Sequence, residues 1–322
     1  MEIVSVDIGG THARFALANI DGGKVTSLDS GVTLKTAEYA SLQTAWEAFG
    51  AQAGRPLPRA VALAVACPVS GEVLKLSNNP WIIRPAMIGE KLGVDIITLV
   101  NDFEAIGHAV GELQRADLQH ICGPDIDLPT EGVISILGPG TGLGVAHILR
   151  RGGATHVISS EGGHVDYAPL DSIEDGILNY LRQRYRRVST ERLVSGPGLL
   201  NIYEALASIE GRPAVIHDDK ALWQTAIAGG DSLATAALDR FCRIMGGVAG
   251  DIALVHGAQA VLIAGGIGPR IIETLPRSGF AERFVAKGRF EAMMGGLPVK
   301  LITHPQLGLL GAAAAFGKEH KS

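Results

Sequence analysis

Apolar runs and glycine turns alternate in the opening residues of the chain. One apolar run extends from Ile3 to Val6 and another begins at Phe15, with Asp7-Ile8-Gly9-Gly10-Thr11 between them. A further turn at 21–23 leads into a third run from Val25. Short apolar runs separated by glycine turns are typical of antiparallel strands. The pattern predicts a β-meander at the start of the chain.

Other segments carry apolar residues three and four positions apart, which is the spacing of a helix face. Ser41 precedes the first such segment and is a favourable N-cap, so a helix is predicted to begin there. Further helices are predicted at 173–181, 199–206, 238–255 and 307–318. The long helix has Gly246 and Gly250 one turn apart, where close packing is possible, and its predicted buried face comprises Leu238, Phe241, Met245, Val248, Ile252 and Val255.

Buried strands followed at once by polar residues mark a candidate site. The run from Val61 to Val65 ends in Ala66-Cys67-Pro68, and the run from Ile96 to Val100 continues directly into Asn101-Asp102. Open α/β sheets bind ligands at the carboxyl ends of their strands. Further strands are predicted at 260–264 and 299–303. The whole pattern predicts an α/β protein.

The second half of the chain weakly repeats the first. At an offset of 130 positions, Ser5 aligns with Ser135, Gly10 with Gly140 and Thr11 with Thr141, and Ala16 aligns with Ala146 in the next strand. This period is too long for a solenoid. It predicts a duplicated molecule in which two lobes each contain a strand, a Gly-Thr turn and a second strand.

Composition limits the classes of function. The chain has 322 residues, which suggests about two domains. Hydrophobic residues make up 47% and charged residues 19%, so a disordered chain is excluded. The net charge of −5 gives no general attraction to nucleic acid, and we interpret the basic run of Arg182, Arg184, Arg186 and Arg187 as a solvated helix face.

The expected location is the cytoplasm, with no membrane partner. The apolar stretches are shorter than the 18 or more residues of a membrane span, and the N-terminus lacks a basic signal region. The cysteines Cys67, Cys122 and Cys242 are isolated, which favours a reducing compartment.

Glycine is unusually abundant, with 42 residues, nearly twice the average share of about 7%. Glycine turns follow apolar strands at 7–11, 138–144 and 265–268. Successive backbone N–H groups in such turns bind anions, and phosphate is the natural ligand, although each turn alone is also compatible with a plain hairpin. The P-loop and Rossmann motifs are absent, so a nucleotide held by two hairpins remains. Asp7 either orients a hydrated Mg²⁺ or caps its turn.

A set of amides and carboxylates in separate loops suits a polyhydroxyl ligand. Its members are Asn78, Asn79, Asn101, Asp102, Glu161, His164 and Glu191. A metal at Glu161 and His164 is disfavoured, because no second histidine or cysteine lies at a ligand spacing nearby. A purely structural role remains the alternative for His164.

Several motifs occur together in a fixed order along nearly the whole chain. They are Asp7–Arg14, Asn101–Phe103, Gly138–Ala146, Glu161–Asp166, Glu191–Gly198 and Ala264–Ile267. In this order they resemble the bacterial glucokinases of enterobacterial type, in the hexokinase, Hsp70 and actin superfamily. The resemblance implies an α/β, two-lobed actin-like ATPase (ribonuclease H-like) fold. Residues 1–110 and 304–322 would form a small α/β lobe and residues 111–303 a larger α+β lobe, with a nucleotide cleft between them, usually in a homodimer.

The resemblance also implies an activity, the ATP-dependent phosphorylation of glucose at its 6-hydroxyl to give glucose 6-phosphate and ADP. Asp102 would be the catalytic base, ionised at neutral pH if its pKa is near the usual ~3.9. The implied sugar-binding residues are Asn78, Asn101, Asp102, Glu161, His164 and Glu191. The implied ATP-binding residues are Asp7, Gly9, Gly10, Thr11, Gly138, Gly140, Thr141, Gly196, Gly265 and Gly266, with Mg²⁺ held by Asp7 through water.

Two departures qualify the resemblance. His12 stands where the family usually has asparagine, and the zinc-binding cysteine cluster of the repressor-related sugar kinases is absent. Alternatives that would use the same motifs are a kinase for another hexose, a nucleotide-switched binding protein and a phosphohydrolase.

Overall fold

The computed structural model describes residues 1–76 and 79–321. Asn78, one of the predicted sugar-binding residues, lies outside the described residues. The chain divides into two compact units. The first unit comprises Met1–Gln114, Val157–Ser159 and His304–Ser322, and the second comprises Arg115–His156 and Ser160–Thr303.

Strands occur in both units. In chain order they are β1 (Glu2–Ile8), β2 (His12–Asp21), β3 (Lys24–Leu28), β4 (Val32–Lys35), β5 (Ala60–Val65), β6 (Leu74–Lys75), β7 (Ile82–Ile83), β8 (Ile96–Asn101), β9 (Leu118–Cys122), β10 (Gly132–Pro139), β11 (Leu143–Arg151), β12 (Ala154–Ser160), β13 (Ala260–Ile263) and β14 (Val299–Ile302).

Helices also occur in both units. They are α1 (Leu42–Ala53), α2 (Ile88–Leu92), α3 (Asp102–Ala109), α4 (Ser172–Arg182), α5 (Gly196–Ile209), α6 (Asp219–Ala228), α7 (Ser232–His256), α8 (Phe280–Val285), α9 (Glu291–Gly295) and α10 (Leu307–Glu319). The predicted helices are confirmed, with boundaries that differ by a few residues.

The sheet of the first unit has the order β3-β2-β1-β5-β8, and β4 pairs with another part of β2. β1 is antiparallel to β2 and parallel to β5, and β5 is parallel to β8. The predicted meander is therefore confirmed. All six residues of β5 are buried, as expected for a central parallel strand covered on both faces.

Alternation along β1 separates two apolar layers. Val4, Val6 and Ile8 belong to the cluster that includes residues of α1, whereas Ile3 belongs to the cluster that includes α10. Ser5 and Asp7 share the face of Ile3. The hydroxyl of Ser5 donates to the carbonyl oxygen of Leu309 in α10, at 2.7 Å. This face of β1 therefore carries polar groups beneath the C-terminal helix.

The start of α1 shows how local sequence sets a helix boundary. The Ser41 side chain accepts from the Thr44 N–H, and the Thr44 hydroxyl accepts from the Ser41 N–H. This reciprocal capping satisfies two amides that the first turn leaves without intrahelical partners. Gly54 ends the helix with a left-handed backbone at φ 65°.

The sheet of the second unit has the order β12-β11-β10-β13-β14-β9. β10 is antiparallel to β11 and parallel to β13. The pairing repeats that of β1, β2 and β5, so the predicted internal repeat is present in the topology. The aligned register is wrong by one residue, however. Ala16 lies opposite Ser5, whereas Ala146 lies opposite Ile136.

The long helix α7 packs closely against α8 through two glycines. A Cβ on Gly246 would lie 2.2 Å from the Phe280 carbonyl oxygen, and a Cβ on Gly250 would lie 2.5 Å from that of Phe284. The predicted close packing is thus confirmed. The predicted buried face is wrong at its end, because Val255, in the last turn of α7, is 83% exposed.

The basic run also departs from its predicted setting. Arg182 is the last residue of α4, and the other three arginines follow in turns rather than on a helix face. Arg184 pairs with Glu204 at 3.0 Å, and Arg187 pairs with Asp166 at 2.8 Å. Among the described residues, no helix is both long and apolar enough to cross a bilayer.

Candidate active site

The turn between β1 and β2 directs its carbonyl groups into the protein. The carbonyl oxygens of Gly9 and Gly10 accept from the Asn79 side-chain amide at 2.8 Å and the Thr36 hydroxyl at 3.0 Å. The Thr11 carbonyl oxygen accepts from the Thr36 N–H at 3.0 Å. The N–H groups of Gly10 and Thr11 donate to no described residue. Such an arrangement suits the approach of an anion to the turn.

His12 changes the environment of the neighbouring hydroxyl. Its Nδ1 lies 2.9 Å from the Thr11 hydroxyl oxygen. The Thr11 hydroxyl, which the sequence suggests as a phosphate donor, therefore has an internal partner in this structure.

Asp7 lies at the end of β1 with a side chain that is 20% exposed. Arg14 is opposite it in the strand register, with Nη1 3.6 Å from Asp7 Oδ2. Burial raises the pKa of the Asp7 carboxyl, and the charge of Arg14 opposes that rise. A carboxylate partly removed from water and close to a cation is available to orient a hydrated metal ion.

Asp102 is the first residue of α3, directly after β8. Its Oδ1 accepts from the Phe103 N–H at 3.0 Å. Burial and the negative charge of Asp7 raise the pKa of Asp102 to about 6, against the opposing effect of its hydrogen bonds. The expected ordinary pKa is therefore wrong. The carboxyl is still mostly ionised at pH 7, and it is a stronger base than an exposed aspartate.

Asn101 is the N-cap of the helix that begins with Asp102. Its Oδ1 accepts from the N–H groups of Phe103 and Glu104 at 2.9 and 3.3 Å, and its Nδ2 donates to the Cys67 carbonyl oxygen at 3.3 Å. The amide therefore fixes the start of α3, and its hydrogen bond to Asp102 also lowers the pKa of that carboxyl.

In the second unit, three glycine-containing segments meet at the turn between β10 and β11. The Gly196 N–H donates to the Gly140 carbonyl oxygen at 2.7 Å, and the Ile267 N–H donates to that of Pro139 at 3.2 Å. Gly265 has a left-handed backbone at φ 81°, and a Cβ on it would lie 2.6 Å from the Pro139 carbonyl oxygen. Gly265 is thus required by the local packing.

Gly140 and Gly266 are different, because the fold gives no reason for glycine at these positions. A Cβ on either residue would meet nothing within 4 Å, and neither backbone is left-handed. The N–H groups of Thr141 and Gly142 donate to no described residue. Bare backbone with unpaired N–H groups suits the close approach of an anionic ligand.

The acidic and imidazole side chains of the second unit are held beside the start of β11. Glu161 directly precedes a 3₁₀ turn at Gly162–His164, and His164 is the last residue of that turn. A Cβ on Gly163 would lie 2.1 Å from the Leu143 carbonyl oxygen, and the Thr190 hydroxyl donates to the Gly163 carbonyl oxygen at 2.7 Å. These contacts join the turn to the segment that carries Glu191.

Glu191 uses one carboxylate oxygen within the protein, and its other oxygen accepts from no described residue. Its Oε2 accepts from the Leu143 N–H at 2.9 Å. Glu161 and His164 lie 3.9 Å apart, Oε2 to Nε2, with side chains 73% and 53% exposed. The second unit therefore carries two carboxylates and an imidazole at two 3₁₀ turns, Gly162–His164 and Thr190–Arg192. The described residues contain no group of three or more histidine, cysteine or acidic side chains placed to hold a metal.

The predicted residues thus form one set in each unit. Asp7, the first glycine turn, Asn79, Asn101 and Asp102 belong to the first unit, and the remaining described ones belong to the second. Thr36 was not anticipated, because nothing in its sequence context indicates that it holds the first turn. Asn79 was anticipated as a ligand residue, but its side chain holds the Gly9 carbonyl oxygen and the Trp81 N–H.

The sequence model of the glucokinase family matches residues 4–319 of the chain. The chain belongs to the glucokinase family. The glucokinase of Zymomonas mobilis is 62% identical over 320 residues, covering 99% of each chain. That of Xanthomonas campestris pv. campestris is 38% identical, covering 97% of this chain and 94% of the relative.

Solved structures of the glucokinase family confirm the predicted fold class. A glucokinase from an Antarctic psychrotroph has a TM-score of 0.84 at 33% identity, covering 97% of this chain and 98% of its own. The Balamuthia mandrillaris glucokinase, solved with glucose, has a TM-score of 0.79 at 19% identity, covering 98% and 93%. The fold is therefore the α/β actin-like ATPase fold.

The two kinds of glycine make a testable distinction. We expect Gly163→Ala to lower the free energy of unfolding by about 1–3 kcal/mol, because its Cβ would press on the Leu143 carbonyl oxygen. Gly140→Ala should change it by no more than about 0.5 kcal/mol, because the Cβ enters open space. Urea unfolding measures both values. Equal destabilisation by the two substitutions would contradict this assignment.

Proposed function

We propose that this protein transfers the γ-phosphoryl group of ATP to the 6-hydroxyl of glucose, releasing glucose 6-phosphate and ADP. The observation that carries the proposal is the 62% identity to a glucokinase over 99% of both chains. The local geometry of the two residue sets suggests a role for each residue in this reaction.

In this proposal the phosphates of ATP bind the two hairpin turns, at Gly9, Gly10 and Thr11 and at Gly138, Gly140 and Thr141. Within these turns the N–H groups of Gly10, Thr11 and Thr141 donate to no described residue. Gly196, Gly265 and Gly266 approach the nucleoside. The open space at Gly140 and Gly266 supports this assignment, because a fold requirement does not explain either glycine. The carbonyl groups of the first turn already point inward, so its N–H groups need no rearrangement.

Asp7 is the proposed residue for Mg²⁺, acting through bound water. Its carboxylate and that of Asp102 are both partly buried, and Asp7 raises the pKa of Asp102 by its charge. A nearby divalent cation fits this donor environment, since it offsets the repulsion. When bound, Mg²⁺ neutralises charge on the phosphates.

The proposed contacts to the sugar come from side chains of both sets. Glu161, His164 and the second carboxylate oxygen of Glu191 accept from or donate to hydroxyl groups, and Asn101 contributes its side-chain amide. Asn78 is also proposed to bind the sugar, on the basis of its sequence motif alone.

Asp102 is the proposed base. It takes the proton of the 6-hydroxyl while that oxygen bonds to the γ-phosphorus and the bond to the bridging oxygen of ADP breaks. Placement of the reactants provides most of the rate enhancement in phosphoryl transfer, and the base contributes on the order of 10²–10⁴. The raised pKa of about 6 strengthens that contribution.

The proposal also covers the domains, the oligomeric state and the location of the enzyme. Residues 1–110 with 304–322 act as the small domain and 111–303 as the large one. A homodimer follows from the family resemblance. The free cysteines suit a cytoplasmic location, and glucose 6-phosphate is a substrate for glycolysis.

A coupled assay with ATP, Mg²⁺ and a panel of hexoses tests the activity. We expect ADP release that depends on glucose, with stoichiometric glucose 6-phosphate. Release without sugar would identify a phosphohydrolase, no release would favour a nucleotide-binding protein, and preference for another hexose would reassign the substrate.

Asp102→Asn tests the base. The amide cannot accept the hydroxyl proton, so we expect kcat to fall by at least about 10²-fold while the Kd for glucose changes little. Calorimetry gives the Kd and the coupled assay gives kcat. Asp175→Asn, at an exposed position of α4, is the matched control and should leave both unchanged. Near-normal turnover of Asp102→Asn would remove Asp102 from this role.

A further inference from the structure

Two glycines of the C-terminal helix α10 contact the elements that carry the carboxylates of the first unit. Gly308 lies in the first turn of α10 beside the side chain of Asp7, and Gly311 lies about one turn later beside the backbone of α3. Both contacts are too close for any larger residue in the present arrangement.

The contact at Gly308 involves the carboxylate itself. A Cβ on Gly308 would lie 2.5 Å from both Cγ and Oδ2 of Asp7 and 3.0 Å from Oδ1. The carboxylate therefore packs directly on the helix backbone. No side chain caps α10, so the positive end of its backbone dipole lies next to this anion, together with Arg14 across the strand pair.

The contact at Gly311 involves the helix that begins with Asp102. A Cβ on Gly311 would lie 2.0 Å from the carbonyl oxygen of Ala105, one turn after Asp102. Any added atom must push α3 away from α10, because a backbone carbonyl cannot rotate aside as a flexible side chain can. The position of Asp102 then changes with that of α3.

The helix α10 is also held along its length, so it does not easily move away from these contacts. The Ser5 hydroxyl donates to the Leu309 carbonyl oxygen at 2.7 Å, and Gln306 Oε1 accepts from the Gly31 N–H at 3.1 Å. Near its other end, Glu319 accepts from the hydroxyl of Thr98 in β8. Hydrogen bonds thus fix the helix on both sides of Gly308 and Gly311.

We propose that Gly308 and Gly311 are positioning residues, and that α10 sets the places of Asp7 and Asp102 relative to one another. This inference rests on the proposed function, in which these two carboxylates serve the phosphoryl donor and the sugar hydroxyl. Neither glycine touches a substrate. Each acts by allowing a backbone approach that no other residue permits.

The two positions have different expected kinetic effects. Gly308→Ala displaces the Asp7 carboxylate, so the KM for MgATP and the Mg²⁺ concentration needed for half-maximal rate should rise about tenfold or more. Gly311→Ala displaces α3 and Asp102, so kcat should fall by about 10- to 100-fold with little change in the KM for MgATP. Misplacement of a reacting group by about 1 Å costs rate on this scale.

A variant of similar steric severity serves as the control. A Cβ on Gly246 would lie 2.2 Å from the Phe280 carbonyl oxygen, in the second unit and outside the proposed site residues. Gly246→Ala should lower the melting temperature to a similar degree, yet kcat and both KM values per folded molecule should stay within about twofold of those of the parent. Circular dichroism supplies the folded fraction.

Ser5→Ala keeps the test informative if a glycine variant fails to fold. It removes the hydrogen bond to Leu309 without adding any atom. We expect Ser5→Ala to lose less catalytic efficiency than the glycine variants of α10. Its effect on kcat or on the KM for MgATP should still be larger than that of Gly246→Ala. Normal kinetics for Ser5→Ala together with either foldable glycine variant would overturn the inference.

The assay separates failure of the inference from failure of the proposed function. If the parent protein releases no ADP with glucose, the proposed function fails. If the parent is active while Gly308→Ala, Gly311→Ala and Gly246→Ala have the same kinetic constants, the positioning role fails and the activity stands. The inference is supported if Gly308→Ala mainly raises the KM for MgATP and Gly311→Ala mainly lowers kcat.

Discussion

The first residue set depends on two carboxylates that the fold holds close to one another and away from bulk water. Burial raises the pKa of both Asp7 and Asp102, and the charge of Asp7 adds to the rise at Asp102. A carboxyl group whose pKa is raised in the folded state stabilises the fold most at pH values below its ordinary pKa. This stabilisation is lost as the pH rises through the pKa of the folded state. Asp102 has a pKa of about 6 compared with the ordinary 3.8, so its ionised form lowers the free energy of unfolding at neutral pH by an amount on the order of 3 kcal/mol.

The surrounding structure offsets part of that cost with fixed dipoles and one cation. Arg14 faces Asp7 across the strand pair, and the first turn of α10 lies against the same carboxylate. Asp102 accepts a backbone hydrogen bond at the start of α3, whose N-terminal end favours negative charge. Packing alone does not account for these two buried carboxylates, because burying them costs stability. Such groups are expected where carboxylates have a function.

The sequence predicts the elements well because hydrophobic periodicity is a local property. The strands before the glycine turns, the capped helix after Ser41 and the buried strand that ends at Asn101-Asp102 all follow from residues within one element. The glycine motifs likewise indicate the turns between β1 and β2 and between β10 and β11. The one-residue shift between the two hairpins cannot be predicted in the same way, because turn length rather than strand composition sets the register.

The parts that sequence does not predict are those that join distant segments. Ser5 and Leu309 are 304 positions apart, and neither context reveals their hydrogen bond. The hydrogen bond from Asn101 to the Cys67 carbonyl oxygen and the raised pKa of Asp102 both depend on neighbours that only the folded chain supplies. Thr36 holds the first turn from a segment with no motif of its own.

The coupling between the two carboxylates is tested most directly by the pKa of Asp102 itself, measured by carbon-13 NMR titration of its carboxyl in the metal-free protein and in Asp7→Asn. We expect a value of about 6 in the parent and a lower value once the charge at position 7 is removed. A value near the usual ~3.9 in both proteins would contradict the proposed burial and charge coupling of these two groups.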